Sequence, residues 1–532
     1  MMGFHCAHCN GGLVFDVESQ QMHCEHCGSD FNPQDVIIRD SAIVTTTVTC
    51  QNCGAELEGT DESLVGFCPY CGGQSLVAQP GSGFNAEKII PFQVSKDQCV
   101  EAYSEYTKHV PYLHKEFKDA AHIQNFTGIY MPFYQYDAHF DEPNIKGETS
   151  ETQGEYTVVT KYRVDVELDG EYEHGTPFDA SKYLDDEISA RCLPFNVEQE
   201  VPFSPGYLAG FYADASTAPA ELYYEDAQAQ AEQDMISEIG DQVKASHGIP
   251  LTKKSSIQTT VTNHHPILFP LWFLTWRKGD RVAYAVVNGE SGQVVSDLPL
   301  NIRAFALGSL AISALLFVVL ELTMQMTPGM TAFLSFVAAA LMAWGIHTSA
   351  KRVHQTQTHA HDKGWTNKEG LNEDPKKRRD RKQVKFKDLW PVLLGALLPI
   401  GLGVLSVGLR NARMGRSSVI DIDRAFDAHS SFIMKVAPVL TLAIALYVTI
   451  KVIQWHRDMK EWNAPVAIGI LLVSVLVNAA IILVAPVDDI WYYAGDIVCI
   501  VGLIVSSVAM LRVYNLTTTR PLPKLHDRKE VS

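Results

Sequence analysis

"FHCAHCNGGLVFDVESQQMHCEHCG" (residues 4–28) contains two CxxC pairs with 14 residues between them. The same arrangement returns 44 residues later in "CQNCGAELEGTDESLVGFCPYC" (50–71). Two CxxC turns joined by a short hairpin bring four thiolates to one point, the tetrahedral arrangement that Zn²⁺ prefers. The sequence therefore predicts two structural zinc ions in two tandem zinc ribbons. The predicted ligands are Cys6, Cys9, Cys24, Cys27, Cys50, Cys53, Cys68 and Cys71.

Other interpretations of these cysteines fit less well. Disulfides are rare in a reducing cytoplasm, and a redox CxxC lies beside a βαβ unit rather than in a fourfold repeat. Histidines precede the cysteines of the first module and offer an alternative ligand in place of a cysteine: His5, His8, His23 and His26. A site closed by four thiolates has no open position for hydrolysis, and each module is too small to fold without its metal.

Charge divides the 532-residue chain into two parts. Residues 1–302 contain 17 Lys and Arg against 44 Asp and Glu, a net charge of −27, whereas residues 303–532 have a net charge of +9. Binding to nucleic acid requires a basic surface that neutralises phosphates. The acidic charge of the half that contains the cysteines therefore argues against a nucleic-acid partner.

Residues 89–300 follow a linker (79–88) and predict an α+β domain. Ser95 and Gln98 have the spacing of a capping box, and 219–245 predicts a long acidic helix. Alternating apolar residues over 154–173 predict a β-hairpin that turns at Asp169–Gly170.

The domain contains one repeated sequence pattern and two further predicted turns. The stretches "IYMPFYQYDA" (129–138) and "ILFPLWFLTW" (267–276) share a proline that leads into aromatic residues, which predicts two related halves that face each other. The strands of 264–300 are expected to turn at Lys278–Gly279–Asp280 and at Asn288–Gly289.

Several side chains of the domain are candidates for chemistry. They are the acidic and histidine residues of "DAHFD" and "HH" and two isolated thiols: Asp137, His139, Asp141, His264, His265, Cys99 and Cys192. Each is more economically explained as an ordinary surface or core residue. The sequence shows no nucleophile elbow, phosphate loop or dinucleotide fingerprint. It gives no positive reason to predict an enzyme, and it leaves the question open.

The second half of the chain contains long apolar segments. Six of them have the length of a transmembrane helix: 304–324, 329–350, 389–409, 436–455, 464–486 and 492–511. Loop 351–388 contains 12 Lys and Arg, including "KKRRDRK" (376–382), which favours a cytoplasmic position. Six spans place both termini in the cytoplasm of a multi-pass plasma-membrane protein, although four arginines in loop 410–432 then lie outside.

The predicted fold is thus multidomain: two tandem zinc ribbons, a cytoplasmic α+β domain and an all-α polytopic membrane domain of about six helices. The predicted boundaries are, in order, 1–40 for the first ribbon, 41–78 for the second, 79–88 for the linker, 89–300 for the α+β domain, 301–350 for a transmembrane hairpin, 351–388 for a basic cytoplasmic loop, 389–516 for four further transmembrane helices, and 517–532 for a cytoplasmic tail.

A series of short stretches after the cysteines carries a resemblance to a known family. They are "IIPFQV" (89–94), "GIYMPFYQYDA" (128–138), "PGYLAGFYAD" (205–214), "LFPLWFLTW" (268–276) and "AVVNGESGQV" (285–294). Over roughly residues 1–325 the chain resembles bacterial transcription-factor-IIB-type zinc-ribbon membrane proteins. The resemblance implies protein partners of the phage-shock protein A and SPFH (flotillin-like) types. The chain differs from the shorter family members in its long apolar C-terminal half.

Together these observations predict a membrane-anchored scaffold or adaptor that docks other proteins at the bilayer, and the resemblance adds a role in membrane stress. Two alternatives remain open. A transporter or membrane enzyme predicts a polar cavity or a metal site with an open position. A membrane-tethered nucleic-acid-binding regulator predicts a basic stripe on the ribbons. The sequence does not identify the partner, and it leaves an oligomer open.

Overall fold

The computed structural model describes the N-terminal half of the chain nearly throughout and the C-terminal half in part. The described residues are 4–35, 46–50, 56–59, 68, 70, 76–80, 86–153, 156–166, 171–172, 175–181, 184–214, 216–279, 281–323, 328–357, 363, 443, 446, 447, 450, 464–484, 486–488 and 490–521. The predicted spans 389–409 and 436–455 lie outside them except for four isolated positions, as do the stretch 376–382 and the tail beyond 521.

The first cysteine module folds as a small antiparallel sheet, which we call the N-terminal ribbon (residues 4–35). Its strands are β1 (Leu13–Asp16), β2 (Gln21–Cys24) and β3 (Asp30–Phe31), paired in that order. Apolar and polar residues alternate along β1, so Leu13 and Phe15 are buried while their neighbours remain partly exposed. The module thus has one apolar face to cover.

Two long strands form the centre of the body (residues 86–300). Strand β8 (Thr127–Gln153) pairs with β14 (Ser256–Lys278) in an antiparallel ladder in which Pro132 faces Leu268 and Tyr130 faces Pro270. The two proline-aromatic stretches are therefore neighbours in one sheet, and the presence of two related halves stays a prediction.

Shorter strands extend this sheet on both sides, in the order β12–β7–β14–β8–β13–β5–β4–β6, with β9, β10 and β11 also paired to β8 and with β15 joining β14, β16 and β17. Their bounds are β4 (Thr46–Cys50), β5 (Glu56–Gly59), β6 (Leu76–Pro80), β7 (Lys88–Ile89), β9 (Tyr156–Val164), β10 (Glu171–Tyr172), β11 (Phe178–Asp179), β12 (Val201–Pro202), β13 (Tyr212–Asp214), β15 (Arg281–Asn288), β16 (Val294–Ser296) and β17 (Arg520–Pro521). Because β5 pairs with β13, the strands of the second cysteine module continue the sheet of the body.

The helices of the body are α1 (Lys96–Lys108), α2 (Ala120–Ile123), α3 (Asp186–Arg191) and α4 (Tyr224–His247). The capping box predicted at the start of α1 is confirmed, since Ser95 accepts from the Gln98 N–H and the Gln98 side chain accepts from the Ser95 N–H. The long acidic helix is also confirmed as α4, which ends at Gly248 with a φ of 69°.

The predicted hairpin over 154–173 is wrong in its pairing. Strand β9 pairs along its whole length with the far end of β8, from Ile145 opposite Val164 to Gln153 opposite Tyr156. Strand β10 pairs with β8 as well. The alternation of apolar residues marked the strand correctly, but the partner is the unusually long β8 rather than the segment beyond Asp169–Gly170.

The N-terminal ribbon docks on the body through the segment 204–211. Phe15 packs against the Tyr207 ring at 5.3 Å between centroids, and its backbone N–H donates to the Ala209 carbonyl at 3.0 Å. Ser204 donates its hydroxyl to the carbonyl of Pro33 at 2.6 Å. The apolar face of the ribbon is thereby covered by the body.

Two helices in the described part of the chain are long and apolar enough to cross a membrane. They are α5 (Ile302–Thr323), through its stretch Ile302–Val319, and α8 (Ile490–Thr518), each with a mean hydropathy of 2.2. Helix α7 (Ala464–Val484) has a shorter apolar stretch of Ile468–Val484, and α6 (Pro328–Gln357) is not among the candidates.

The predicted all-α domain of about six transmembrane helices is therefore wrong for the part of the chain that the structure describes. A run of apolar residues does not distinguish a span from a helix buried inside a bundle, because both avoid water. Helix α6 buries Ala339, Met342, Ala343 and Ile346 in a shared core with α7 and α8, and the dominant architecture of the chain is the antiparallel sheet. The apolar side chains of α5, by contrast, point outward: Leu307 is 69% exposed.

Hydrogen bonds join the body to the ends of α5 and α8. The Asn515 side chain donates to the Leu300 carbonyl and accepts from the Leu300 N–H, both at 2.8 Å. Arg281 on β15 donates to the carbonyl of Leu516 at 2.6 Å and to the hydroxyl of Thr519 at 2.8 Å. Beyond α8, strand β17 pairs with β15. The start of α5 and the end of α8 therefore lie together on the body.

Replacing Gly206 with alanine is expected to weaken the docking of the N-terminal ribbon. An added Cβ would lie 2.6 Å from the carbonyl oxygen of Pro33 and 2.9 Å from its Cα, so backbone would have to move. We expect a loss of about 1–3 kcal/mol of stability, the usual cost of overpacking, and faster cleavage within residues 4–35 by protease.

Gly240→Ala in α4 is the control, because its Cβ would meet Leu251 at an ordinary 3.5 Å. It should stabilise the protein by up to about 1 kcal/mol through helix propensity. Equal unfolding temperatures and equal cleavage rates for the two variants would contradict the docking.

Candidate metal centre

The two CxxC turns of the N-terminal ribbon have the same backbone geometry. The N–H of Cys6 donates to the carbonyl of Gly11 at 2.7 Å, and the N–H of Cys24 donates to the carbonyl of Ser29 at 3.0 Å. In each turn the residue four positions after the first cysteine has a left-handed φ, 60° at Asn10 and 71° at Gly28. Asparagine and glycine tolerate this conformation best, which explains why they stand at these positions.

These turns bring four sulfur atoms together. The Sγ atoms of Cys6, Cys9, Cys24 and Cys27 all lie within 4.8 Å of one another. The Cys6–Cys27 pair is 3.5 Å apart and the Cys9–Cys24 pair 3.4 Å. A tetrahedral ion with metal–sulfur bonds of about 2.3 Å separates its ligands by about 3.8 Å, so the cluster fits one metal ion.

Backbone N–H groups point at the sulfurs. The N–H of His8 donates to the Sγ of Cys6 and the N–H of Gly11 to the Sγ of Cys9, both at 3.4 Å. A side chain at Gly11 would place its Cβ 3.3 Å from two of the sulfurs, so glycine leaves room for them. These donors stabilise the thiolates of Cys6 and Cys9 and help to fix the direction of these two ligands.

Two of the four thiols, Cys9 and Cys27, differ in acidity. The hydroxyl of Ser29 lies 3.3 Å from the Sγ of Cys27, and this hydrogen bond lowers the pKa of Cys27 to about 6. At Cys9 the N–H of Gly11 lowers the pKa, but burial and the neighbouring thiols outweigh it and raise the value to about 12. Cys27 is therefore more acidic than Cys9, and metal binding must displace the proton of Cys9.

The histidines beside these cysteines make other contacts. His8 Nδ1 lies 2.9 Å from the hydroxyl of Ser29, and His23 Nδ1 lies 2.7 Å from a carboxylate oxygen of Asp30. The metal-binding cluster found among the described residues contains the four cysteines and none of the histidines. The structure thus favours the all-thiolate ligand set over the alternative with histidine.

The second module is described in part. Cys50 at the end of β4 and Cys68 are both buried, while Cys53 and Cys71 lie outside the described residues. Tyr70, in the turn between Cys68 and Cys71, donates its hydroxyl to Asp214 at 2.6 Å. Burial raises the pKa of Tyr70 well above its ordinary value, so the phenol remains a donor to this buried carboxylate.

The body brings together only some of its candidate residues. His265 lies between two carboxylates, 2.8 Å from Glu87 and 2.9 Å from Asp137. Burial lowers the pKa of His265, but these two hydrogen bonds outweigh it and raise the value. With both ring nitrogens held by carboxylates, His265 links β14 to β8 and to residue 87 as a charged structural group.

The remaining candidates lie elsewhere. His139 contacts Asp141 at 3.2 Å on the exposed face of β8, and His264 lies 3.1 Å from the hydroxyl of Tyr224. Burial raises the pKa of the thiols of Cys99 and Cys192, which are core residues. Sequence reasoning missed Glu87, which reaches His265 only through folding, and Ser29, which follows Cys27 by two residues but belongs to no motif.

Replacing Cys9 with serine is expected to remove about one metal ion per chain and to unfold the N-terminal ribbon, because three thiolates hold the ion far more weakly than four. Metal analysis of the purified full chain measures the loss. Cys99→Ser is the matched control, since Cys99 is a buried thiol in α1 outside the cluster. Equal metal content in the two variants would contradict the assignment.

Comparison with known proteins gives a limited match. The chain is 25% identical over 340 residues to the uncharacterized protein YdjG of Bacillus subtilis (strain 168). The match covers 62% of this chain and 99% of the relative, so more than a third of this chain has no counterpart there. No family model and no solved structure matches the chain, and neither comparison supports the transcription-factor-IIB-type resemblance. The chain is thus similar to a shorter bacterial protein whose name specifies no activity.

Proposed function

We propose that the chain is a membrane-anchored scaffold that presents zinc-stabilised ribbons and an open strand edge to a partner protein. The observation that carries the proposal is the exposed hairpin of β8 and β9, on a body that is held against the apolar helices α5 and α8. We expect the partner to be a peripheral membrane protein, in keeping with the phage-shock protein A and SPFH types that the sequence resemblance implies.

Zinc is the proposed metal in both modules. Soft thiolate ligands in a closed tetrahedron suit Zn²⁺, and the four sulfurs of the N-terminal ribbon have that arrangement. The second site would use Cys50, Cys53, Cys68 and Cys71. Supporting it are the 44-residue repeat and the burial of Cys50 and Cys68, since buried thiols in so small a unit suit metal ligands.

Membrane anchorage is supported by the ends of α5 and α8. The 18-residue, mainly apolar stretch Ile302–Val319 extends about 27 Å as a helix, close to the thickness of the hydrocarbon core. Helices α5 and α8 run antiparallel, since the end of α8 contacts Leu300 while Tyr493, near its start, packs against Phe317. If both cross the bilayer, the chain crosses it an even number of times between Leu300 and Thr519.

The surface proposed for docking is the β8–β9 hairpin (residues 145–164). Along β9 every residue from Tyr156 to Arg163 is exposed, including Val159 at 50% and Tyr162 at 37%. In the described part of the chain the strand partner of β9 is β8, so the other edge of β9 offers its backbone groups to solvent. Proteins usually protect such edges, and a strand rich in valine, threonine and tyrosine readily accepts another strand.

The charges on β9 indicate what kind of segment fits there. Lys161 and Arg163 are exposed on the strand, in a half of the chain whose net charge is −27. An extended acidic segment of a partner protein would add to β9 by backbone hydrogen bonds and complement these two cations. We therefore propose such a segment as the occupant.

A photo-crosslinking residue at Tyr162 is expected to capture this partner in membranes, and Val159→Glu should abolish the crosslink, because its negative charge repels an acidic segment and opposes strand addition at the edge. Mass spectrometry of the adduct should identify an acidic extended peptide. Val197→Glu is the matched control, since Val197 is a similarly exposed valine of the body, at 47%. A crosslink that survives Val159→Glu, or that Val197→Glu also abolishes, would refute β9 as the docking edge.

The membrane anchor makes a separate prediction about topology. Reporters joined after Pro521 and inserted at Val197 should lie on the same side of the membrane, because β17 pairs with β15 of the body. The basic loop 351–388 predicts that this side is cytoplasmic. Reporters on opposite sides, or a protein recovered in the soluble fraction, would refute the anchor and leave the metal site intact.

A further inference from the structure

A cleft of about 700 Å³ opens among α5, α6 and α8, at the end of these three helices that lies nearest the body. Its wall includes apolar side chains from all three helices, among them Phe305, Trp344 and Met510. Two cations, Lys351 and Arg352, line it on α6, and both residues are exposed. The volume lies within the range of known ligand sites.

The lining of the cleft is amphipathic, with basic side chains at one end and apolar side chains along its wall. The basic residues come one turn after Thr348 on α6, where the apolar part of that helix ends. The side chains that line the cleft bring two positive charges and a mainly apolar wall. An occupant with a negative charge and an apolar part complements both, since the walls would exclude a ligand that is polar throughout.

The position of the cleft along the helices adds a second constraint. Its lining includes Leu300, which is hydrogen-bonded to Asn515 at the end of α8, and Tyr514, which precedes Asn515. This contact lies where α5 leaves the body and α8 returns to it. In a membrane that α5 and α8 cross, this depth corresponds to the interface between the headgroups and the acyl chains.

We propose that this cleft binds an anionic phospholipid. Lys351 and Arg352 contact the phosphate, and the acyl chains lie along Phe305, Trp344 and Met510. The inference rests on the proposed membrane anchor, because it requires that this end of the bundle meet the bilayer surface. A lipid bound in the cleft would hold the body at a fixed height above the membrane. It would also make the protein prefer membranes rich in acidic lipid.

Fluorescence quenching tests the proposal, because Trp344 forms part of the wall and is 52% exposed. The full chain is titrated in detergent micelles with brominated phosphatidylglycerol or brominated phosphatidylcholine, and Trp344→Phe gives the signal of this one residue by difference. Phosphatidylglycerol should bind more tightly. Lys351→Gln with Arg352→Gln should weaken it by roughly 25-fold, since each basic residue near anionic lipid contributes about fivefold.

Arg512→Gln is the matched control. Arg512 is exposed on α8 at the same level as Tyr514 but does not line the cleft, so its loss should leave quenching unchanged. Ser507→Phe removes no charge and fills the cleft, and it should block quenching by both lipids. Equal quenching by the two lipids, or an equal effect of the Arg512 and Lys351/Arg352 variants, would overturn the proposal.

Inorganic phosphate and glycerol phosphate distinguish a lipid from a soluble phosphate. If either displaces brominated phosphatidylglycerol at similar concentration, the ligand is a free phosphate and the lipid assignment is wrong. Membrane fractionation of the same variants separates this result from the anchor. A protein that remains in the membrane without lipid preference refutes the cleft alone, whereas a soluble protein refutes the anchor.

Discussion

The antiparallel ladder between β8 and β14 connects nearly every other part of the molecule. It carries β7, β13 and β15 on its edges, and through β13 it reaches the strands of the second cysteine module. Pro132 and Pro270 lie within this ladder, where proline supplies an acceptor and no donor. Their carbonyls instead accept from the N–H of Ala180 and of Gly289, at 2.8 and 2.9 Å. The prolines thus direct connecting segments onto the sheet without breaking it.

Both ends of the molecule depend on this ladder. The N-terminal ribbon has too few apolar residues to form a core, so it combines a cluster of four thiols that can hold a metal ion with docking of Phe15 on the segment 204–211. At the other end, Arg281 on β15 and the short strand β17 hold the end of α8 against the same sheet. A change at either end therefore has consequences for the body. Under the proposed function, the metal site and the membrane anchor would both contact this body.

The functional proposals rely on three kinds of surface. The thiolate cluster is closed by four ligands, which suits a structural role. Strand β9 of the β8–β9 hairpin is exposed from Tyr156 to Arg163, which suits the addition of a strand. The cleft at Lys351 and Arg352 is amphipathic and lies where α5, α6 and α8 meet the body. None of these surfaces needs a catalytic group, and together they are consistent with a protein that positions other molecules at a membrane.

The sequence by itself determined the local features. The spacing of the cysteines specifies which four sulfurs share a site, because CxxC turns are short and their geometry is fixed by Asn10 and Gly28. The capping box at Ser95 and the acidic helix α4 were also predictable, since both depend on neighbours within a few residues.

Tertiary structure alone decided the pairing of β9 with β8, the joining of β5 to β13 and the burial of α6 within its bundle. Each of these depends on which distant surface is available, and a hydrophobic pattern records only that a residue avoids water. The same limit explains why six apolar segments predicted six spans while, in the described residues, two helices qualify.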